Sequence, residues 1–570
     1  MINGKPYYYL QSSYRVKIDP SDSGKTKGTG KSKVATNTTY LGCAATIKKK
    51  LMTVKEPVQV KSTHFGFVAA IYKTAEETGL IDLLKKNIKG KRHGIENWKY
   101  FLIAIINRLQ HATSKEHMGT WAASTVLPEL LSFDPKKLNS KSFWYATDDV
   151  ISESKLKVAR KSEDGREEDV FVQINDKIFK DIEKVLVKNI LDKYNISSDI
   201  VLYDATNFFT FFSQTNNSML AKAGHNKEGR NNLRQVGLAM CVEQEYGIPL
   251  YHVVYSGNSH DSKTFHQAIT EILFTLKECL QLSKDLIMII DKGNNSKENF
   301  GKMEGQLEFI GSLSVYDYKD LAELPLSQYT ECFQSKKYYA IHREIYGKKF
   351  KLLLTFDEKL YRKNEHSFNN GIEKFKAKVG QKWKSYKHPF KRVPKGIKTM
   401  LSQSRHKKYL KIKYKKGEPK FELVQTEVDK RKKHWGKHIL FSNKAQSTAE
   451  RIIDLYGSKD KVEKGFGVLK SPDLVRWMPM RHWTDTKIRA FAFCCVTSLM
   501  MIRIMELKAE RANLKMSPNV IKQELTDLQK ITMVYDEKTA INKITAKSTV
   551  QKKLSEIFDL VSLEHELTIQ

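Results

Sequence analysis

An apolar, β-branched run, Ile200-Val-Leu-Tyr203, ends on a carboxylate, Asp204, and breaks at once into Thr206-Asn207. Such a run predicts a buried strand. A carboxylate carried by a buried strand is costly unless a cation or a hydrogen-bond network meets it. Taken alone, a strand-end Asp is more often a turn cap. A second apolar run, Asp285-Leu-Ile-Met-Ile-Ile-Asp291, repeats the pattern and also ends on an acid. Between them, Val236–Val242 and Ile248–Val254 flank Glu243-Gln-Glu-Tyr-Gly247, a hairpin signal with glycine in the turn. A helix is expected over Lys263–Leu280 and a further strand over Leu307–Ser314. Hairpin strands followed by a helix and an acid-ended strand predict a mixed α/β layer, where ligands collect outside strand ends. The pairs Phe208-Phe209 and Phe211-Phe212 are expected to anchor the first strand.

Charge narrows the partner. Lys and Arg number 98 against 64 Asp and Glu, a net charge of +34 over 570 residues. A field of that sign favours a polyanion, most simply nucleic acid. Residues 376–437 hold 22 Lys and Arg against 4 Asp and Glu, more than half of the whole excess. Trp383, Tyr386, Phe390, Tyr409, Tyr414 and Trp435 interleave with them, which suits phosphate tracking with base stacking better than a merely solvated face. Lys407, Lys408, Lys411, Lys413, Lys415 and Lys416 form the densest run and are candidate phosphate contacts. The six cysteines have no metal-type spacing and fit a reduced, intracellular protein. No signal peptide is visible. The apolar run Ala490–Ile502, bounded by Arg489 and Arg503, is too short to cross a bilayer and reads as a buried helix.

The chain divides by texture. Residues 1–60 read as a basic, weakly ordered arm. Within it Gly28-Thr-Gly-Lys-Ser32 lacks the earlier glycine of a phosphate loop, because position 25 is Lys. Residues 61–195 read as a helical domain suited to binding a DNA end, with helices over Trp98–Leu109 and Glu116–Leu131. Residues 196–335 carry the α/β layer, 336–443 a basic insertion rich in short strands, 444–508 a return to helix, and 509–570 a polar helical tail. In the insertion, Tyr338–His342, Lys349–Phe356, Tyr409–Tyr414, Phe421–Thr426 and His438–Phe441 are the strand-like runs.

A two-metal nuclease site needs clustered carboxylates. Asp204 and Asp291 supply two, and a third is expected from a helix packed on the sheet. Glu463 lies in a helix-like stretch, Ala445–Lys470, where Tyr456, Lys459 or Asp460, Glu463 and Lys470 share a face. Competing acids are Asp261, an N-cap or supporting residue, and Glu450 and Asp460, both near Glu463. His260 and His482 have no metal-ligand partner at clear spacing. The spacing Tyr456-(2)-Lys459-(3)-Glu463-(6)-Lys470 resembles the Y-(2)-R-(3)-E-(6)-K signature of DDE transposases of the insertion-sequence-four superfamily. Tyr203-Asp-Ala-Thr-Asn-Phe-Phe209 and Ile289-Ile-Asp-Lys-Gly-Asn-Asn-Ser-Lys-Glu-Asn299 resemble its two Asp motifs. Gly224–Gln235, Ile248-Pro-Leu250 and Gly257–Phe265 are similar to its intervening blocks. The resemblance covers roughly residues 64–508.

That resemblance implies a ribonuclease-H-like mixed sheet flanked by helices and interrupted by a β-rich insertion between the second Asp and the Glu. It implies catalysis and metal binding by Asp204, Asp291 and Glu463, holding two Mg²⁺ ions that Mn²⁺ can replace. Tyr456, Lys459 and Lys470 would meet DNA phosphates. Lys459 stands where the family usually has Arg, which keeps the charge and loses the bidentate fork. A tryptophan of the insertion stacks on a flipped base in relatives; Trp435 is the candidate here and Trp383 its rival. The implied function is cut-and-paste transposition: binding of terminal inverted repeats, cleavage, and strand transfer into double-stranded target DNA. The implied assembly is a homodimer in the synaptic complex, in prokaryotic cytoplasm on the nucleoid, with no membrane partner. The alternatives are a catalytically silent transposase-derived DNA-binding protein and a ribonuclease-H-like nuclease without strand transfer.

Overall fold

The computed structural model describes residues 6–17, 32–52, 56–90, 94–160, 167–211, 218–224, 232–279, 285–386, 392–415, 418–536 and 539–569. Residues 28–31, 225–231, Phe212 and Lys416, on which parts of the sequence reading fall, lie outside them. Two compact units emerge. One comprises Met1–Ser62, Lys530–Ile544 and Thr568–Gln570, the other Thr63–Gln529 and Thr545–Leu567.

In the smaller unit, Tyr7–Lys17 and Ser32–Cys43 pair antiparallel as a long hairpin. A three-stranded sheet orders Thr539–Ile544, Gln529–Asp536 and Gln59–His64. These strands correct two expectations, the weakly ordered arm over 1–60 and the wholly helical tail over 509–570. In both, runs of Tyr, Thr, Val and Ile favour strands and outweigh the local charge.

The larger unit is organised by a ten-stranded mixed sheet. Its strands are β1 (Ile200–Thr210), β2 (Lys222–Ala223), β3 (Arg234–Glu243), β4 (Pro249–Ser256), β5 (Ile287–Ile289), β6 (Glu308–Leu313), β7 (Glu331–Phe333), β8 (Lys336–Ile345), β9 (Lys348–Asp357) and β10 (Lys437–Ser442). The hydrogen-bonded order is β7-β8-β9-β10-β6-β5-β1-β3-β2, with β4 pairing the far side of β3. β1 is antiparallel to β3 and parallel to β5, and β5 is parallel to β6. Near-continuous apolar content in β1, β3 and β5 matches strands covered on both faces. At the expected hairpin, Glu243 folds back to accept the backbone N–H groups of Glu245 at 2.6 Å, Tyr246 at 2.8 Å and Ile248 at 2.9 Å. Gly247 closes that turn at a φ of 70°, where a Cβ is disfavoured.

Helices α1 (Gly66–Glu77), α2 (Leu80–Asn87), α3 (Asn97–Gln110), α4 (Ser140–Asp148) and α5 (Lys177–Tyr194) form the N-terminal part. A hairpin, Ser152–Arg160 with Glu167–Asn175, interrupts this otherwise helical stretch. The expected helix over Glu116–Leu131 is three short pieces, since Pro128 fits only the first turn of the last one. Next come α6 (Asp261–Phe274) and α7 (Lys297–Met303), then α8 (Glu358–Lys384), α9 (Lys395–Gln403) and α10 (Gln425–Lys432). Then follow α11 (Ala449–Gly457), α12 (Asp460–Lys470) and α13 (Asp485–Arg511), and the tail adds helices Pro518–Thr526, Thr549–Ile557 and Leu560–Ile569. By length and composition alone α13 could cross a membrane, yet 83% of its most apolar window is buried within the fold.

The basic insertion departs from a strand-rich reading. Its outer strands, β8, β9 and β10, extend the large sheet, because β10 pairs with both β9 and β6. What is inserted between β9 and β10 is mainly helix, with one hairpin, Leu410–Lys415 with Glu418–Leu423. In α8, Tyr361, Phe368, Ile372, Phe375 and Val379 recur at helical spacing, so an apolar stripe exists beneath the charge. Phe368 and Ile372 meet Leu410, Val428 and Trp435 in a small core of their own.

A tight approach fixes the end of β4 beside the start of β3. A Cβ built on Gly257 would stand 1.9 Å from the Gln235 carbonyl oxygen, while the Gln235 side chain donates to the Gly257 carbonyl at 2.8 Å. Gly257→Ala is therefore expected to cost about 1–3 kcal/mol, as overpacking does. Urea denaturation of the variant beside the parent measures it, and an unchanged midpoint would refute the tight fit.

Candidate active site

The parallel pairing of β1 and β5 sets the site. Ile287 lies opposite Ile200, Met288 opposite Val201, and Ile289 opposite Leu202. Asp204 and Asp291 each stand two residues past the last shared rung, on neighbours spaced by about 4.8 Å. Asp204 is half-buried and accepts the Ala205 N–H at 2.8 Å. Asp291 lies just beyond β5, where the chain turns into a 3₁₀ segment, Lys292–Asn294.

The helix carrying the third acid packs on this part of the sheet. In α12, Val462, Gly465, Phe466 and Leu469 are buried, leaving Glu463 on the open side of the first turn. Gly465 permits the close approach: a Cβ there would already touch the Met240 methyl at 3.3 Å. The expected continuous helix Ala445–Lys470 is instead two helices, broken at Ser458-Lys459. That break places Lys459 between the acids. Its ammonium lies 3.2 Å from Asp291 Oδ1 and 3.5 Å from Glu463 Oε1. Burial works against its charge, but the field of Asp204, then that of Asp291, outweighs it and holds the ammonium above its ordinary value.

The other proposed residues divide. Tyr456, at the end of α11, donates to Ser312 Oγ on β6 at 2.8 Å, which ties the helix break to the sheet. Lys470 lies over the Phe208 ring at 5.5 Å, four residues along β1 from Asp204. Glu450 is drawn away, accepting from Tyr338 Oη at 2.5 Å, and Asp460 pairs with Lys464 at 2.6 Å. Lys407, Lys408, Lys411 and Lys413 are exposed, and Lys413 pairs with Glu422 at 2.8 Å. The Lys415 side chain lies outside the described residues. Trp435 is only 4% exposed and packs on Phe368 at 5.5 Å and Tyr361 at 5.7 Å. It packs in the core of the inserted body and also lines a cavity of about 360 Å³ with Lys292, Arg405 and Arg431; Trp383 is half-buried at the end of α8. Phe208 and Phe209 are buried and anchor β1, whereas Phe211 is 62% exposed.

Asp261 proves closer to the site than its N-terminal position in α6 suggests. A Cβ on Gly293, two residues past Asp291, would lie 3.4 Å from Asp261 Oδ2. The phenols of Tyr203 and Tyr255 are raised first by burial, and both feel the carboxylates of Asp261 and Asp204. The signal in the sequence was the block Gly257-Asn-Ser-His-Asp261, but only the fold shows which strand ends it faces.

Among the described residues no group of three His, Cys, Asp or Glu side chains is drawn close enough to hold a metal ion directly. The donor chemistry nonetheless suits a hard cation, which favours carboxylate oxygen. A cation is already held there, since the Lys459 ammonium bridges Asp291 and Glu463 within the field of Asp204.

Mixed α/β architecture with a carboxylate-centred site at adjacent strand ends defines the class. The family described as "Transposase DDE domain" matches residues 196–500, more than half of the chain, and the protein belongs to it. That domain implies phosphoryl-transfer nuclease activity when its catalytic acids are intact, and its members generally use divalent metal ions. No curated protein matches the sequence. Among solved structures, the chain is similar to a piggyBac transposase in a cryo-EM synaptic complex with hairpin DNA. The two are 10% identical with a TM-score of 0.36, over 80% of this chain and 76% of that one.

Removing the Lys459 charge would leave Asp291 and Glu463 without their shared partner. Lys459→Gln is expected to cost about 1–3 kcal/mol at pH 7. Because the folded-state value is raised, this contribution is complete below the unfolded lysine value of about 10.4 and fades as pH rises through the folded one. Denaturation of both proteins from pH 7 to 11 checks it; a gap that widens with pH would refute the assignment.

Proposed function

We propose that this chain is an insertion-sequence transposase of the insertion-sequence-four type, binding terminal inverted repeats and catalysing DNA cleavage and strand transfer. One observation carries the reading. Three acids separated by 87 and 172 residues in the sequence converge on a single lysine, itself at the second position of the Tyr456-(2)-Lys459-(3)-Glu463-(6)-Lys470 pattern. The central path β4-β3-β1-β5-β6, with β3 the antiparallel strand, supports a ribonuclease-H-like core.

Asp204, Asp291 and Glu463 would hold two Mg²⁺ ions, or Mn²⁺ in their place. Bound there, these would supply Lewis-acid stabilisation of the charge on attacking and leaving oxygens. The chain's own groups do the rest. Asp204 and Asp291, fixed by strand register, orient the attacking oxygen relative to the scissile phosphate. Lys459, on a flexible four-carbon stem, swings from the carboxylates to the phosphate as the anionic substrate enters. Lys470 meets the flanking phosphate, and Tyr456, held by Ser312, hydrogen-bonds beside it. A water nicks the element's end, and the freed 3′-hydroxyl attacks a phosphodiester of the target. Two protomers would each hold one end. The exposed lysines Lys407, Lys408 and Lys411 track the DNA backbone.

Asp204→Ala, Asp291→Ala and Glu463→Ala are each expected to abolish cleavage of terminal-repeat DNA while end binding survives. Chelation by EDTA stops the wild type, and Mg²⁺ or Mn²⁺ restores it. Gel analysis of cleaved and joined products reads all of these. Cleavage retained by any variant overturns that residue's role, no cleavage by wild type indicates a silent DNA-binding protein, and cleavage without joined products indicates a nuclease.

Replacing Lys407, Lys408 and Lys411 together by Gln should flatten the plot of log affinity against log salt by about 0.9 for each phosphate no longer neutralised. Binding titrations from low to moderate salt test this, and an unchanged slope would remove the stretch from the interface.

A further inference from the structure

A cavity of about 510 Å³ lies within the larger unit, apart from the carboxylates, between α3, the segment after it, α4, residues 476–483 and α13. Its volume falls in the range of small-molecule sites. Two kinds of wall meet there. Tyr100, Phe143, Trp144, Trp483 and Phe491 supply aromatic surface, and Trp144 lies 5.5 Å from Trp483, ring centre to ring centre. Arg108, Lys115, Arg476 and Arg481 supply positive charge.

Arg476 and Arg481 are exposed, while the buried Arg108 and the half-buried Lys115 are placed unlike other cations nearby. Lys487 is paired with Asp148 at 2.5 Å and Arg489 with Asp176 at 3.0 Å. Arg108, only 9% exposed, donates to the Thr113 carbonyl at 2.5 Å, Asn107 Oδ1 at 3.0 Å and the Arg476 carbonyl at 3.4 Å, all neutral acceptors. The Lys115 ammonium lies 5.6 Å from the Phe143 ring centre and makes no ion pair among the described residues. The one carboxylate lining the cavity, Glu116, is exposed. Burial first, with Lys487 and Arg108 adding to it, pushes Lys115 down to about 8. His482, also on the wall, is held well below its ordinary value by burial and by Lys115, Arg108 and Lys487. Arg476 sits at a left-handed φ of 49°, a conformation costly for a residue with a Cβ. Unpaired buried charge is expensive, and an anion entering the cavity would relieve it.

We propose that this cavity binds a nucleotide, its phosphate meeting Arg108 and Lys115 and its base lying against the Trp144 and Trp483 rings. Arginine and lysine bind phosphate by charge-assisted hydrogen bonds, and aromatic faces stack on any base. An apolar ligand would leave the cations uncompensated, and a simple inorganic anion would leave the rings uncovered. The nucleotide is either free or the unstacked terminal residue of a DNA strand. Met480, on the same segment as Arg476, bridges to Thr210 at the end of β1, and Trp477 stacks on Phe208 at 4.3 Å. The segment that walls the cavity is thereby tied to the strand that carries Asp204. The binding claim rests on the cavity itself; the transposase reading bears only on the source of the nucleotide.

Calorimetric titration of the full chain with 5′-dAMP, and separately with inorganic phosphate, tests it. One 5′-dAMP is expected to bind per chain, at least about tenfold more tightly than phosphate. Lys115→Gln should weaken 5′-dAMP at least about tenfold, with the melting temperature retained or raised. Trp483→Ala, at an exposed position, should weaken it independently if the first variant folds poorly. No saturable 5′-dAMP binding, equal binding of phosphate, or indifference to both substitutions would overturn the proposal. Displacement of 5′-dAMP by a short single strand bearing a terminal phosphate assigns the site to a DNA end, and failure to displace assigns it to free nucleotide. Cleavage assays of Asp204→Ala are separate from all of these, so loss of one reading leaves the other standing.

Discussion

A short stretch of parallel pairing between β1 and β5 is the constraint from which the rest of the site follows. Three rungs, Ile200 with Ile287 through Leu202 with Ile289, set Asp204 and Asp291 level with one another. A slip of one residue would turn one acid to the opposite face of the sheet. The apolar content of both strands holds the register, since β1 and β5 lie inside the sheet between β3 and β6. Around that pair, the fold brings the remaining charges to one place. Gly465 lets α12 settle on β3, and the break at Ser458-Lys459 turns an ammonium inward.

The protein carries far more positive than negative charge, and it handles that excess in three ways. On the inserted body the lysines are exposed over a small apolar core, where solvent screens them and a polyanion can reach them. At the active site one lysine is held between two acids, within the field of a third, and kept charged. Beside α13 the buried Arg108 and the half-buried Lys115 lie among aromatic rings without acidic partners, and there the charge is destabilised. The first arrangement suits tracking a backbone, the second suits a group that changes partner when an anion arrives, and the third suits a ligand that brings its own negative charge.

Much of the sheet was legible in the sequence because a buried strand declares itself by a short apolar run with turn residues at its ends. The runs at 200–203 and 236–242 lie in strands, 248–254 does so from Pro249 on, and those at 285–291 and 307–314 hold the shorter strands Ile287–Ile289 and Glu308–Leu313. The insertion was less legible. Its helix α8 has a stripe of five apolar or aromatic residues over 27, diluted by so many lysines that charge dominates the reading. The hairpin in the smaller unit was hidden for a related reason, since flanking Lys, Gly and Ser masked the β-forming Tyr and Thr. An aromatic residue in a basic stretch, such as Trp435, has the same composition signal whether it stacks on a ligand or fills a core; its packing against Phe368 and Tyr361 shows only in the fold.

The sequence by itself determined the residue types and their order: two acid-ended apolar runs, a Tyr-Lys-Glu-Lys spacing far downstream, and a one-sided basic excess. Those are local properties, set by composition and period. Only the tertiary structure decided which charges meet. Asp261 reaches the neighbourhood of Gly293, Glu450 is captured by Tyr338, and Lys459 lies between Asp291 and Glu463 because strand register and helix packing fix distances between segments far apart in the chain. Interaction energies between charges fall with those distances and rise with burial, and neither can be read from spacing along a sequence.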